Sequence, residues 1–209
     1  MYANLTTLPA VKRILKIADI ETADDELLTS LIESASDLIG RYCSRDNLGE
    51  VITYAETYWQ RPPSGVTTFK FPNVLLNHYP AVTITSAVSG TRDLPVLTTV
   101  ETETVSGVFL QDDRRTLSFL NTPWLQSVAP LIVTYTAGYA PADIPGGLAL
   151  AARMLVIELY RSPQSLGYKS RGVSGENQVF DDFTKFGMSG RIAAMLQPYR
   201  NMVPPAGPR

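Results

Sequence analysis

Residues 22–43 read TADDELLTSLIESASDLIGRYC. Leu27, Leu28, Leu31, Ile32, Ala35, Leu38, Ile39 and Tyr42 recur at three- and four-residue spacing, which sets them on one stripe of a helix. Thr22 with Asp25 has the form of a capping box. Asp24, Asp25 and Glu26 put negative charge at the positive end of the helix dipole. Asp37 and Arg41 lie four apart on the outer face, spaced to pair. Burying each large apolar side chain is worth roughly 1.5–3 kcal/mol, so this helix needs other elements to cover its stripe.

Cover is available on both sides. Residues 5–17, LTTLPAVKRILKI, predict a short first helix with Thr6 or Thr7 as cap, Pro9 in the first turn, and Val11, Ile14 and Leu15 as an apolar edge. Lys12, Arg13 and Lys16 fall on the other side and read as a solvated face. Ser44–Gly49 reads as a polar turn. From Val51 to Tyr139 the pattern changes to strands. Thr53 to Trp59 is rich in β-formers and is stopped by Arg61-Pro62-Pro63-Ser64-Gly65. Phe69 and Phe71 alternate around Lys70. Val82, Ile84 and Val88 alternate with Thr83, Thr85 and Ser89. Ser89–Asp93 is a turn, weaker strands follow near 96–103, 107–111 and 116–120, and Leu131–Thr136 is the best strand, closed by Ala137-Gly138.

Helix returns with Asp143 as the expected N-cap and Pro145 in the first turn, and runs to the stop at Ser162-Pro163. Leu148–Tyr160 is apolar almost all round, so it is expected to be buried on several sides, one of them against another subunit. Residues 167–187, GYKSRGVSGENQVFDDFTKFG, hold four glycines and little periodicity and read as a long mobile loop. Ser189 is expected to cap a last helix with Ile192, Met195, Leu196 and Tyr199 on one face.

The fold class expected is therefore α+β: an α-helical bundle of about four helices from both chain ends, with an inserted antiparallel β-module. Residues 1–50 supply the N-terminal helices and 51–139 the β-rich insertion. Residues 140–200 supply the C-terminal helices with the loop at 167–187, and 201–209 form a flexible tail.

Composition excludes several functions. A hydrophobic share of 44% with mean hydropathy of zero describes an ordinary globular chain, and a net charge of −2 offers no basic excess for binding nucleic acid. A secretory signal and a membrane span are both absent from the pattern, so a cytosolic product is expected. His78 is the single histidine and Cys43 the single cysteine. A two-histidine relay or a histidine-rich metal site is thereby excluded, His78 reads as a turn residue, and Cys43 as a packed thiol. Asp112-Asp113 and Asp181-Asp182 lack a calcium-loop pattern and read as solvated turns. Gly172-Val173-Ser174-Gly175 lacks the context of a nucleophile elbow. No catalytic, cofactor-binding or metal residue is nominated, and no cofactor. Trp59, Trp124, Tyr54 and Tyr58 form the one alternative, a glycan-stacking surface on the β-module.

Taken together, LTTLPAVKRILKI, DDELLTSLIESASDLIGRYCSR, VTYTAGYAPADIPGGLALAARMLVIELYRSP and MLQPYR resemble the head–tail connector (adaptor) proteins of tailed bacteriophages, prophages and gene transfer particles. The resemblance covers residues 5–45 and 130–200, and Thr134–Tyr139 leading to Pro141, Ile144 and Pro145 is its most specific piece. LNHYPAVTITSAV (76–88) is similar to a strand of the longer members, whereas the β-insertion departs from the compact ones.

It implies a structural, non-enzymatic virion protein in the neck at the head–tail junction, made in the host cytoplasm. By resemblance it forms a homo-oligomeric ring, roughly twelve-fold, between the portal protein and a tail or stopper protein. DNA passes through the extended channel without sequence-specific binding, and no membrane is involved. A head-completion or tail-terminator role in the same particle is the near alternative. On this reading Leu148, Met154, Leu155, Ile157 and Tyr160 are candidate interface residues. Lys169, Arg171, Phe180, Phe183 and Phe186 are candidates for a partner-docking loop.

Overall fold

The computed structural model describes residues 2–58, 73–98, 106–120, 130–161, 170–173, 176–179 and 188–201. In chain order its helices are α1 (Leu8–Leu15), α2 (Asp25–Cys43), α3 (Gly146–Arg161) and α4 (Gly190–Leu196), the last running into a 3₁₀ turn, Gln197–Tyr199. The strands are β1 (Val51–Tyr58), β2 (Asn73–Leu75), β3 (Ala81–Ser89), β4 (Arg92–Leu94), β5 (Gly107–Leu110), β6 (Thr116–Leu120), β7 (Leu131–Gly138), β8 (Ser170–Val173) and β9 (Glu176–Val179). The fold is α+β, with helices from both chain ends and antiparallel sheets. It divides into two compact units, Met1–Gly49 with Pro141–Pro204, and Glu50–Ala140.

In the helical unit α2 packs on α3, α3 on α4, and α1 lies against both α2 and α3. Leu28, Ile32, Ala35, Ile39 and Cys43 form the buried stripe of α2; Leu148, Ala151, Ala152, Leu155 and Val156 of α3 and Ile192 and Leu196 of α4 are buried as well. Leu27, expected on the stripe, is 52% exposed. It lies one residue, about 100°, off the Leu28 row, beyond the arc the neighbouring helices cover.

The capping box is not formed. Asp24 takes the N-cap position without a side-chain cap bond, and the Asp25 carboxylate turns to Lys12 instead. Asp37 and Arg41 do pair, at 2.8 Å.

Lys12 corrects the solvated-face expectation. It is 3% exposed, and its Nζ lies 2.5 Å from Asp25 Oδ1 while donating to the carbonyls of Glu21 (2.6 Å) and Asp19 (3.3 Å). One ammonium thus joins α1, the link after it and the first turn of α2. A buried charge is tolerated only with such partners. Arg13 and Lys16 remain exposed.

The segment after α2 also differs from a solvated polar turn. Ser44 takes a left-handed conformation (φ 53°) and turns the chain back, so that Arg45, Asn47 and Leu48 are buried. The Arg45 guanidinium donates to Asn47 Oδ1 (3.2 and 3.3 Å) and to the Tyr199 carbonyl (3.4 Å). The Asn201 N–H reaches the Cys43 carbonyl at 2.8 Å. These bonds satisfy polar groups that would otherwise be stranded, and they tie the end of α2 to the C-terminal turn.

α3 begins at Gly146, leaving Asp143 outside it, and the Pro145 carbonyl accepts the Ala149 N–H. Ser189 takes the expected N-cap position of α4, its carbonyl accepting the Ala193 N–H at 3.0 Å, but its side chain makes no cap bond. Its hydroxyl donates to Glu158 Oε1 on α3 (2.7 Å), which anchors the start of α4 to α3. Within the stretch expected to be a mobile loop, β8 and β9 pair as an antiparallel hairpin with Val173 opposite Glu176. The two residues between them in the sequence are Ser174-Gly175, a dipeptide suited to a tight hairpin turn.

The β-module has two antiparallel sheets, ordered β1-β7-β3-β4 and β2-β6-β5, that share one core. Strand β7 is central to the first, and its alternation sends Leu131, Val133, Tyr135 and Ala137 inward. The expected inward row on β3 is broken. Register shifts between Ala81 and Thr83 and between Ile84 and Ser86 put Ala81 and Ala87 inside and leave Val82 exposed. A bulge shifts the pleat by one, so period-2 reading fails across it. Gly90 (φ 64°) sits in the two-residue hairpin between Ser89 and Arg92, a backbone glycine adopts without strain. At Gly107 a Cβ would come within 2.4 Å of the Pro95 carbonyl, which accepts the Val108 N–H. Phe69, Lys70 and Phe71 lie outside the described residues.

Candidate functional site

Polar chemistry in the β-module gathers at one place. On β1 the residues of the half-buried face are Ile52, Tyr54, Glu56 and Tyr58, so a carboxylate stands in an inward register between two tyrosines. His78, in the segment leading to β3, stacks on Tyr54 with ring centroids 3.7 Å apart and 8° between planes. Its Nδ1 lies 2.6 Å from Glu56 Oε1, and its backbone N–H donates to the Tyr135 hydroxyl at 3.1 Å. The Tyr58 hydroxyl and the Asn77 N–H both donate to Glu56 Oε2, the latter at 3.3 Å.

Burial by itself would raise the Glu56 pKa. The hydrogen bonds from His78, Tyr58, Tyr135 and Asn77 outweigh it and hold the carboxyl below its ordinary 4.5. Burial first, with the Glu56 charge adding to it, pushes the Tyr58 and Tyr135 hydroxyls well above their ordinary 10. In this cluster the carboxylate is occupied by its donors, and one face of the imidazole is covered by a tyrosine ring. That arrangement ties β1 to the segment leading into β3.

His78 was expected to be a turn residue, and the sequence reading missed its partner. The signal was available on β1, where period 2 puts Glu56 on the same face as Tyr54 and Tyr58. The pairing with a residue 22 positions away was not.

Elsewhere, Asp113 occupies the β5–β6 turn. Its carboxylate accepts the N–H groups of Arg115 and Thr116 (both 2.9 Å) and the Thr116 hydroxyl (2.5 Å). Burial weighs against the charge, and these bonds with the nearby Arg115 still hold the carboxyl below its ordinary 3.8. A cleft beside it is lined by Leu97, Thr98, Phe109, Leu110 and Gln111. Cys43 is fully buried, and burial pushes its thiol up to about 11. Among the described residues no group of three or more His, Cys, Asp or Glu is placed to hold a metal ion, and no helix is long and apolar enough to cross a membrane.

The candidate interface residues separate into two sets. Leu148 and Leu155 are buried in the core of the helical unit. Met154 and Ile157 are half-buried and, with the 43% exposed Leu150, follow i, i+4, i+7 spacing along the side of α3 opposite that core. Half-buried Tyr160 donates to Asp24 Oδ2 at 2.7 Å, joining the end of α3 to the start of α2.

Of the candidate docking loop, Arg171 belongs to strand β8, while Lys169, Phe180, Phe183 and Phe186 lie outside the described residues. Trp59, Trp124, Ser174 and the Asp181-Asp182 pair lie outside them as well. Of the glycan-stacking set, the structure places Tyr54 against His78 and Tyr58 on Glu56, inside the polar cluster.

A family model described as head completion protein matches residues 4–202. A chain from the neck of the empty gene transfer agent (GTA) particle, computed with C6 symmetry, is similar in structure at a TM-score of 0.50 and 19% identity. The match covers 95% of this chain and 91% of that one. A chain from the neck of the native GTA particle, computed with C12 symmetry, has a TM-score of 0.47 at 19% identity and covers 99% and 98%. A chain from the virion of the native particle has a TM-score of 0.44 at 17% identity and covers 91% and 86%. At 19% identity the first of these likenesses, with its TM-score of 0.50, speaks to fold alone. No curated protein matches the chain.

Proposed function

The chain belongs to the head completion protein family, and from that premise we propose that it is a structural, non-enzymatic protein of the neck of a tailed particle. The family match across residues 4–202 carries the reading, because it takes in both the helical unit and the β-module. The polar groups of the described residues are consistent with it. Glu56, His78, Asp113 and Lys12 are each engaged in holding elements together.

In this role several copies form a ring between the portal and a tail or stopper protein, and the ring extends the channel through which DNA passes. A ring closes through head-to-tail contacts, so each copy needs two different complementary surfaces. A net charge of −2 suits a channel wall, since a strongly basic lining would hold DNA by counterion release and impede its movement. The expected DNA binding is weak and lost at moderate salt.

The test is electron microscopy of the purified protein with its portal protein, with mass photometry alongside. A ring coaxial with the portal supports the connector reading. Association with the tail tube and not the portal moves the protein to a tail-terminator position. A chain that stays monomeric and bound to neither at micromolar concentration counts against the neck role.

A further inference from the structure

The helical unit carries two apolar surfaces of opposite electrical surroundings. The first is at the corner between α1 and α2. Ile20 is 89% exposed, yet its position is firmly held. The carbonyls of its neighbours Asp19 and Glu21 both accept from the buried Lys12 ammonium, and the Glu21 N–H donates to the Ala18 carbonyl at 3.0 Å. An isoleucine fixed outward on a braced turn gains nothing for the fold of its own chain. Exposed Leu27 follows in the first turn of α2. Residues 17–33 hold six acids and no lysine or arginine, and among the described residues only Asp25 of the six is matched by an ion pair.

The second surface is the outer row of α3, Leu150, Met154 and Ile157, continued by Arg161 at the same spacing. Arg153 flanks this row, and its Nε is buried without a hydrogen-bond partner among the described residues. The α4 segment beyond, residues 188–201, contains Arg191 and Arg200 and no acid.

We propose that the acidic corner of one copy, led by Ile20 and Leu27, seats on the arginine-flanked outer row of α3 in the next copy. The two patches differ, so their contact is heterologous and propagates around a ring. Charge complementarity fixes the direction: acid-to-acid and arginine-to-arginine pairings are repelled, which prevents two copies from closing face to face. The proposal rests on the neck reading above.

The test uses the full chain in purified particles. Ile20→Cys is combined in turn with Leu150→Cys and Met154→Cys, and a short bis-maleimide is added; native Cys43 is buried and stays silent. A ladder of covalent multimers, absent from each single-cysteine variant, is the expected result. A double variant that enters particles but remains monomeric on denaturing gels overturns the interface and leaves the neck role standing. Absence of the wild-type chain from the necks overturns both.

The charge arm is independent. Glu21→Arg is expected to cut the ladder at least fivefold, and adding Arg161→Glu to restore it. An equal yield in the single and paired reversals overturns the electrostatic match. Circular dichroism of each variant verifies that these exposed changes leave the fold intact.

Discussion

The two units bury ionic groups in opposite ways. In the helical unit an ammonium, that of Lys12, is drawn inside and held by one carboxylate and two backbone carbonyls at a corner where three segments meet. In the β-module the buried ion is a carboxylate, Glu56, held by a histidine, a tyrosine and a backbone N–H. The first arrangement is a bolt between consecutive elements. The second stitches β1 to a segment 22 residues further on. Of these two buried ions Glu56 is the one whose carboxyl is held below its ordinary value, so acid reaches the β-module through that group.

Each unit also carries its own reporter, because the only cysteine is in α2 and the only histidine is in the β-module cluster. The largest effect is expected at Cys43. With its pKa pushed from 9.0 to about 11, thiolate at pH 8 is about a hundredfold scarcer than in the unfolded chain, and burial blocks access further. Reaction with a disulfide reagent should be at least that much slower in the folded protein and recover in denaturant. Equal rates would mean that the helical unit opens freely.

Next in size is a contrast between neighbours on α2. Leu28→Ala should cost about 2–5 kcal/mol in denaturant unfolding, because it empties a fully buried site. Leu27→Ala should change stability by less than about 0.5 kcal/mol. Similar losses at both positions would show that the exposed corner is packed in solution.

Lys12→Ala should destabilise by about 1–3 kcal/mol, since it strands the Asp25 carboxylate and two carbonyls, with Arg13→Ala near zero as its control. Urea titration of both variants measures the difference.

For Glu56 the sign follows from its lowered folded pKa. Its contribution is fully present above the unfolded value near 4.5 and is lost as pH falls through the lower folded value. Glu56→Gln should cost about 1–3 kcal/mol at neutral pH and flatten stability in that acid window. The single His78 resonance follows the same event by NMR. If the variant keeps the wild-type acid profile, the contrast between the units fails.

The smallest effect is expected at the exposed pair on α2. Asp37→Ala should cost no more than about 0.5 kcal/mol and vanish in high salt.

Much of the architecture was legible because it is local. The Leu28–Ile32–Ala35–Ile39 row, the alternation of β7 and the Asp37–Arg41 pair each need only neighbours along one element. The shared core of the two sheets and the burial of Arg45 were not legible. They depend on which distant segments come to lie beside them. The candidate surface was half legible. The apolar character of α3 was plain, but which of its residues face the core required knowing that α2 and α4 cover the Leu148–Leu155 side.

By itself, then, the sequence determined the α+β class and the periodic faces of its elements, because spacing of 3.6 or 2 residues is written into consecutive positions. It also carried the segments that mark the head completion family across 4–202. Only the tertiary structure decided that Lys12 goes inside, that Glu56 meets His78, that Val82 turns outward across two bulges, and that Ile20 is held in the open. Each of these is fixed by a contact or a register between segments apart in the chain. The free energy of a buried charge or an exposed isoleucine depends on those neighbours, not on the residue type.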